Sequence, residues 1–167
     1  MESKSRARAI VSGLKKAGID FVATLPDEKI VDVIRAVADE KSFKHIPLCR
    51  EEEGIGICAG AYLAGRKTAL IMQNAGFLNS CNALTTTSRQ FQIPILLLIY
   101  YAGDLGDRGF TTLGMVTEPV LEAMGIRSYV LRKPEEIEDV LCGAQVLADD
   151  SKKPVAVLLT KQVLGVR

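Results

Sequence analysis

The chain has 167 residues, 48% of them hydrophobic and 25% charged, with 21 Lys and Arg against 20 Asp and Glu for a formal net charge of +1. That length suits one domain, residues 1–167, able to bury about 70% of the surface of its unfolded form without a disulfide or metal staple. Charges scattered along the whole chain leave no basic stripe for nucleic acid or an anionic membrane, so neither is an expected partner.

The longest apolar run, residues 93–101, is far short of the about 20 residues that a membrane-spanning helix needs, and residues 1–8 lack a signal-peptide core. A soluble, cytoplasmic protein is the expectation. Cys49, Cys58, Cys81 and Cys142 form no C-x-x-C pair and His45 is the only histidine. No zinc-type ligand set is visible, and buried, reduced thiols are expected.

In chain order, apolar periodicity predicts a helix over residues 5–17 closed by Gly18, then a strand over 21–25. A helix over 28–39 leads to a strand over 44–48, in which His45 reads as a packed residue rather than a base. The helix over 51–64, closed by Gly65, precedes a strand over 68–72. A helix over 78–88 precedes the strand 95–100, whose surrounding run lacks polar alternation, as a strand buried on both faces does. A glycine-rich loop spans 101–117, followed by a helix over 118–124 and a strand over 128–131. Pro134 and the solvated charges of 132–139 open a helix over 135–148, and a strand over 155–160 ends the pattern.

Strict alternation of strand and helix implies an α/β fold: three-layer, doubly wound, with a six-stranded, mainly parallel sheet and helices on both faces. Ligands of such sheets bind beyond the carboxyl ends of the strands near a switch in strand order. That rule selects segments 24–27, 49–53, 73–79 and 101–117.

Segment 50–62 is the richest of these. As a helix it lines up Ile55, Cys58, Ala59 and Tyr62 as a buried stripe, with Glu51 and Glu52 projecting toward it one turn earlier and Glu53 leading to Gly56, Ile57 and Gly60. Acids in a first turn complement the helix dipole, which accounts for one or two of the three. Gly54, Gly56 and Gly60 each cost about 1 kcal/mol relative to Ala inside a helix, so something must approach that backbone closely. An acid in this setting is a candidate proton-transfer group, and periodicity leaves Glu51 and Glu52 equally placed. Every asparagine of the chain lies between Asn74 and Asn82, beyond what turns and N-caps require, which points to polar groups fixing a ligand. The loop 103–109 belongs to the class of lids and connectors. The chain contains neither G-x-x-x-x-G-K-[ST] nor G-x-G-x-x-G, which disfavours nucleotide-phosphate binding by this chain alone. Arg108 is a candidate grip for an acidic substrate group.

Taken together, Thr24-Leu25-Pro26-Asp27, Arg50-Glu51-Glu52-Glu53-Gly54 with Ala59-Gly60-Ala61-Tyr62, and Gln73-Asn74-Ala75-Gly76 with Asn79 resemble the pyrimidine-binding domain of thiamine-diphosphate decarboxylases. The resemblance spans almost the full chain. More narrowly it is to the alpha subunits of sulfopyruvate decarboxylases, kin of the amino-terminal half of phosphonopyruvate decarboxylases. It implies one catalytic glutamate on a helix, contacting the aminopyrimidine ring of the cofactor. Alignment on Gly60-Ala61-Tyr62 puts that residue at Glu52. It further implies that Pro26 lines the pyrimidine pocket and that Gln73, Asn74, Gly76 and Asn79 bound it; Asp27 and Arg108 are the candidate substrate contacts. An apolar cradle around the acid disfavours its charged form, so that it exchanges a proton near neutral pH.

The same enzymes hold diphosphate and Mg²⁺ with a G-D-G motif followed downstream by asparagine. Here Gly103-Asp104 runs into Leu105, and no Asn follows Asn82. The resemblance therefore implies no metal ligand in this chain. A separate beta subunit would carry the motif, with an active site between unlike chains of a hetero-oligomer. The implied substrate is a small anionic 2-oxo acid, 3-sulfopyruvate, decarboxylated to sulfoacetaldehyde in coenzyme M biosynthesis. Phosphonopyruvate decarboxylation and a noncatalytic regulatory role for the same fold are the alternatives.

Overall fold

Strands that are apolar on both faces must be covered on both, and their backbone groups must find partners on either side. The computed structural model, which describes residues 2–166, solves both demands with one sheet. Strands β1 (Phe21–Thr24), β2 (Lys44–Pro47), β3 (Thr68–Gln73), β4 (Leu96–Tyr100), β5 (Arg127–Leu131) and β6 (Val155–Leu159) lie in the order β2-β1-β3-β4-β6-β5. Every pairing is parallel, with Leu97 of β4 beside Leu70 on one side and Ala156 on the other.

Alternate residues of β4 enter two cores. Leu96, Leu98 and Tyr100 pack under α1 (Glu2–Lys16), α2 (Val31–Asp39), α7 (Ile137–Ser151) and the short α8 (Lys161–Leu164). Leu97 and Ile99 pack under α3 (Glu51–Leu63), α4 (Asn74–Asn79), α5 (Cys81–Ala83) and α6 (Thr111–Ala123). The expected three-layer, doubly wound architecture is what forms, and the six strands stand within one or two residues of their expected positions.

Two helical expectations and one strand end need correction. The helix expected over 78–88 begins at Asn74, directly after β3, and ends as a π-helical segment, Leu84–Arg89. There the Thr85 and Thr86 hydroxyls donate to the carbonyls of Cys81 and Asn82, at 2.8 and 2.9 Å, and compete with the regular helix ladder. The helix expected to start at 118 starts at Thr111, because Gly114 lets the α6 backbone meet that of Gly103, where any Cβ would clash. Tertiary contact overrides the weak propensity of a Thr- and Gly-rich turn. The last strand yields at Thr160 to α8, whose first turn its hydroxyl caps.

The loop left between β4 and α6 is tethered. Arg132 donates to both carboxylate oxygens of Asp104, holding that carboxyl below the ordinary range. Burial raises the Asp107 carboxyl, but Lys161, the Gly103 N–H and the Tyr100 hydroxyl outweigh it and leave it low. The cysteines also depart from the expectation of burial. Cys58 alone is buried, its thiol pushed up to about 12, whereas Cys49 is exposed and Cys81 and Cys142 are intermediate. Among the described residues no helix is long and apolar enough to cross a membrane.

Candidate active site

From β1 the chain adds β2 on one side and then crosses back to add β3 on the other, so the carboxyl ends of β1 and β3 flank the crevice that a doubly wound fold offers to ligands. Asp27, just past β1, meets Gln73, the last residue of β3. Gln73 Nε2 donates to Asp27 Oδ2 at 2.9 Å, and the Lys29 N–H donates to Oδ1 at 2.8 Å. Pro26 is exposed at the rim. Beneath it Thr24 is fully buried, with Oγ1 2.8 Å from His45 Nε2, and burial pushes that imidazole down, as suits a packed residue.

Helix α3 starts beside this crevice. Gly54 faces the sheet, where a Cβ would stand 2.6 Å from Leu48 Cδ1 and 2.7 Å from Leu70 Cδ1, so its absence draws the first turn against β3. Glu51 and Glu52 consequently face α4, on which Gly76 and Asn79, three residues apart, share a side. Glu51 lies over Gly76, occupying the space that a Cβ there would fill. Glu52 reaches Asn79, whose Nδ2 donates to Oε2 at 2.8 Å, while Arg50 Nη1 donates to Oε1 at 3.2 Å. The two acids that periodicity left equivalent are thus distinct: Glu51 fills the α3–α4 seam, and Glu52 stands at its mouth.

The apolar cradle expected around Glu52 is not supplied by this chain. Its partners are polar and its side chain is 33% exposed. Nor is the close approach expected at all three glycines present. Among the described residues nothing lies within 4 Å of where a Cβ at Gly56 or Gly60 would stand, and beside them Ile57 is 37% and Leu63 76% exposed. Beyond its acidic first turn α3 is apolar on every side, as a helix buried all round would be, yet only one side is covered.

Asn74 faces inward. Its fully buried amide donates to the Ala102 carbonyl at 2.8 Å and to Thr117 Oγ1 at 2.9 Å, tying the start of α4 to the chain just past β4 and to the middle of α6, and its Oδ1 has no hydrogen-bond partner among the described residues. It therefore shapes the crevice floor rather than lining an open cleft. Arg108 is exposed on the tethered loop. Arg50, not singled out in the sequence as a site residue, joins Glu52. Contacts between residues 50–52 and 76–79 depend on how α3 and α4 pack, and no local pattern announces them.

The N-terminal TPP-binding domain of thiamine pyrophosphate enzymes matches residues 4–103, which places the chain among those enzymes. Sulfopyruvate decarboxylase subunit alpha of Methanococcus maripaludis is 39% identical over 155 residues, covering 92% of this chain and 93% of its own. The subunit of the same name from Methanocaldococcus jannaschii is 39% identical over 152 residues, 90% of each chain. A 2-oxoglutarate:ferredoxin oxidoreductase from Magnetococcus marinus shares the fold, with a TM-score of 0.77 at 17% identity over 95% of this chain and 29% of that one. The chain belongs to the family of the sulfopyruvate decarboxylase alpha subunits.

Proposed function

We propose that this chain is the pyrimidine-binding subunit of a thiamine-diphosphate-dependent decarboxylase that converts 3-sulfopyruvate to sulfoacetaldehyde and CO₂, a step of coenzyme M biosynthesis in the cytoplasm. The observation that carries the reading is the Glu52 carboxylate held at the mouth of the α3–α4 seam, next to the crevice at the ends of β1 and β3. An aminopyrimidine requires an acid at one ring nitrogen and apolar walls. Glu52 meets the first need, and Pro26 with the uncovered side of α3 meets the second. When bound, the coenzyme supplies the electron sink that lets CO₂ leave.

The chain's own residues would then divide the work. Glu52 holds and returns a proton at the pyrimidine N1′. Gln73 fixes Asp27 toward the substrate end of the crevice, Gly76 keeps the seam narrow, and Arg108 is the candidate contact for the sulfonate. We assign the diphosphate and Mg²⁺ to a beta subunit. That subunit would sit on the open side of α3, completing in a hetero-oligomer the dry surroundings that Glu52 lacks here.

The test is decarboxylation by the chain reconstituted with its diphosphate-binding partner, offering 3-sulfopyruvate and phosphonopyruvate side by side. Turnover of sulfopyruvate by wild type is expected, with a loss of about 100-fold or more in Glu52→Gln and a raised substrate KM in Arg108→Ala. A glutamine variant as active as wild type would remove Glu52 from the chemistry. An unchanged KM in the alanine variant would remove Arg108 from the substrate site.

A further inference from the structure

The two oxygens of the Glu52 carboxylate are held by partners of opposite kinds. Asn79, which grips Oε2, stands at the end of α4, and α4 is fixed at its other end by buried Asn74 and through its middle by Phe77, which is fully buried in the core. Arg50, which grips Oε1, precedes the first turn of α3 with extended backbone, and its side chain is 71% exposed. An exposed ion pair is worth little and is readily exchanged for another partner. A hydrogen bond from an uncharged amide on a rigid platform places the carboxylate without neutralising it.

We infer that Asn79 acts as a positioning residue that holds Glu52 by Oε2, and that Arg50 is a displaceable guard which leaves Oε1 to the ring nitrogen of the coenzyme. This rests on the function proposed above and changes the part given to Asn79, whose amide is committed to Glu52 and not to the coenzyme or substrate. A glutamate side chain has three rotatable bonds, so without Asn79 the partly exposed Glu52 spreads over several orientations and delivers its oxygen correctly only part of the time. Glu51, one position earlier, needs no such grip because the seam over Gly76 already confines it.

The experiment is a double-mutant cycle in the reconstituted complex, reading thiamine-diphosphate affinity by calorimetry alongside kcat and substrate KM for wild type, Asn79→Ala, Glu52→Gln and the pair. Asn79→Ala is expected to weaken coenzyme binding and lower kcat about 10- to 100-fold with substrate KM unchanged. On the Glu52→Gln background, which has no carboxylate to deliver to the ring nitrogen, its effect on both should be much smaller. Asn79→Asp, close in shape but without the donor, should reproduce the loss if the alanine variant folds poorly. Arg50→Met should bind coenzyme at least as tightly as wild type.

Effects of Asn79→Ala that persist at full size in the Glu52→Gln background would mean that Asn79 meets the ligand directly, which overturns the inference. A neutral Asn79→Ala does the same, and a loss in Arg50→Met as large as that in Asn79→Ala overturns the guard. In each case a Glu52→Gln variant that by itself loses activity leaves the proposed function standing.

Discussion

His45 lies on the edge strand β2 with its Nε2 2.8 Å from Thr24 Oγ1, and burial holds its imidazole below the ordinary value of 6.5. As pH falls through that value the unfolded chain takes up a proton that the folded chain still refuses. Stability therefore declines from about 6.5 downward until the folded imidazole also titrates. Because the chain has one histidine, the effect is isolated. The midpoint of thermal unfolding is expected to drop between pH 7 and 5 in wild type and to drop less in His45→Gln. Equal slopes in the two proteins would show that the imidazole titrates freely in the folded state. Glu51 and Glu52 make the same point about neighbours: one is adjacent to the other in the chain, but α4 meets the first with a glycine and the second with an amide.

Helix α3 carries glycine for two different reasons on its two sides. At Gly54 the helix touches Leu48 and Leu70, and a methyl group would intrude to 2.6 and 2.7 Å. Gly54→Ala is expected to destabilise the isolated chain by about 1–3 kcal/mol in urea unfolding, the strain of overpacking exceeding the roughly 1 kcal/mol gained in helix propensity. A variant as stable as wild type would mean that β3 and α3 can part without loss. Segment 74–89 behaves differently again. It runs as α4, α5 and a π-helical stretch, short pieces pinned to the core by Asn74, Phe77 and Ser88.

Over the whole molecule, the helix layer that contains α3 leaves apolar side chains open, Ile57 and Leu63 among them. The open face of α3, with Gly56, Ile57, Gly60 and Leu63, has room for a methyl group in this chain but, on the proposed reading, none once a partner is seated. Gly60→Ala is accordingly expected to stabilise the isolated chain by about 0.5–1 kcal/mol while weakening its association with the beta subunit about tenfold. Unfolding of the single chain and titration of the complex measure the two effects separately. Unchanged association would place the interface elsewhere.

Amino-acid order alone determined the sheet and its class, because both signals are local. Runs such as Leu96–Tyr100 can be stable only where both faces are covered, and alternation with helical periods leaves few ways to connect parallel strands. It also brought the acids to the start of α3 and clustered the asparagines, and resemblance singled out Glu52. Tertiary structure decided what those residues touch: Asn79 and Arg50 on Glu52, Gly76 under Glu51, and Asn74 turned into the interior. It also pulled α6 back to Thr111 through the Gly103–Gly114 contact. Apart from the Arg50–Glu52 pair, two residues apart at the start of α3, these outcomes turn on packing between segments some 10 to 40 residues apart, to which no local periodicity answers.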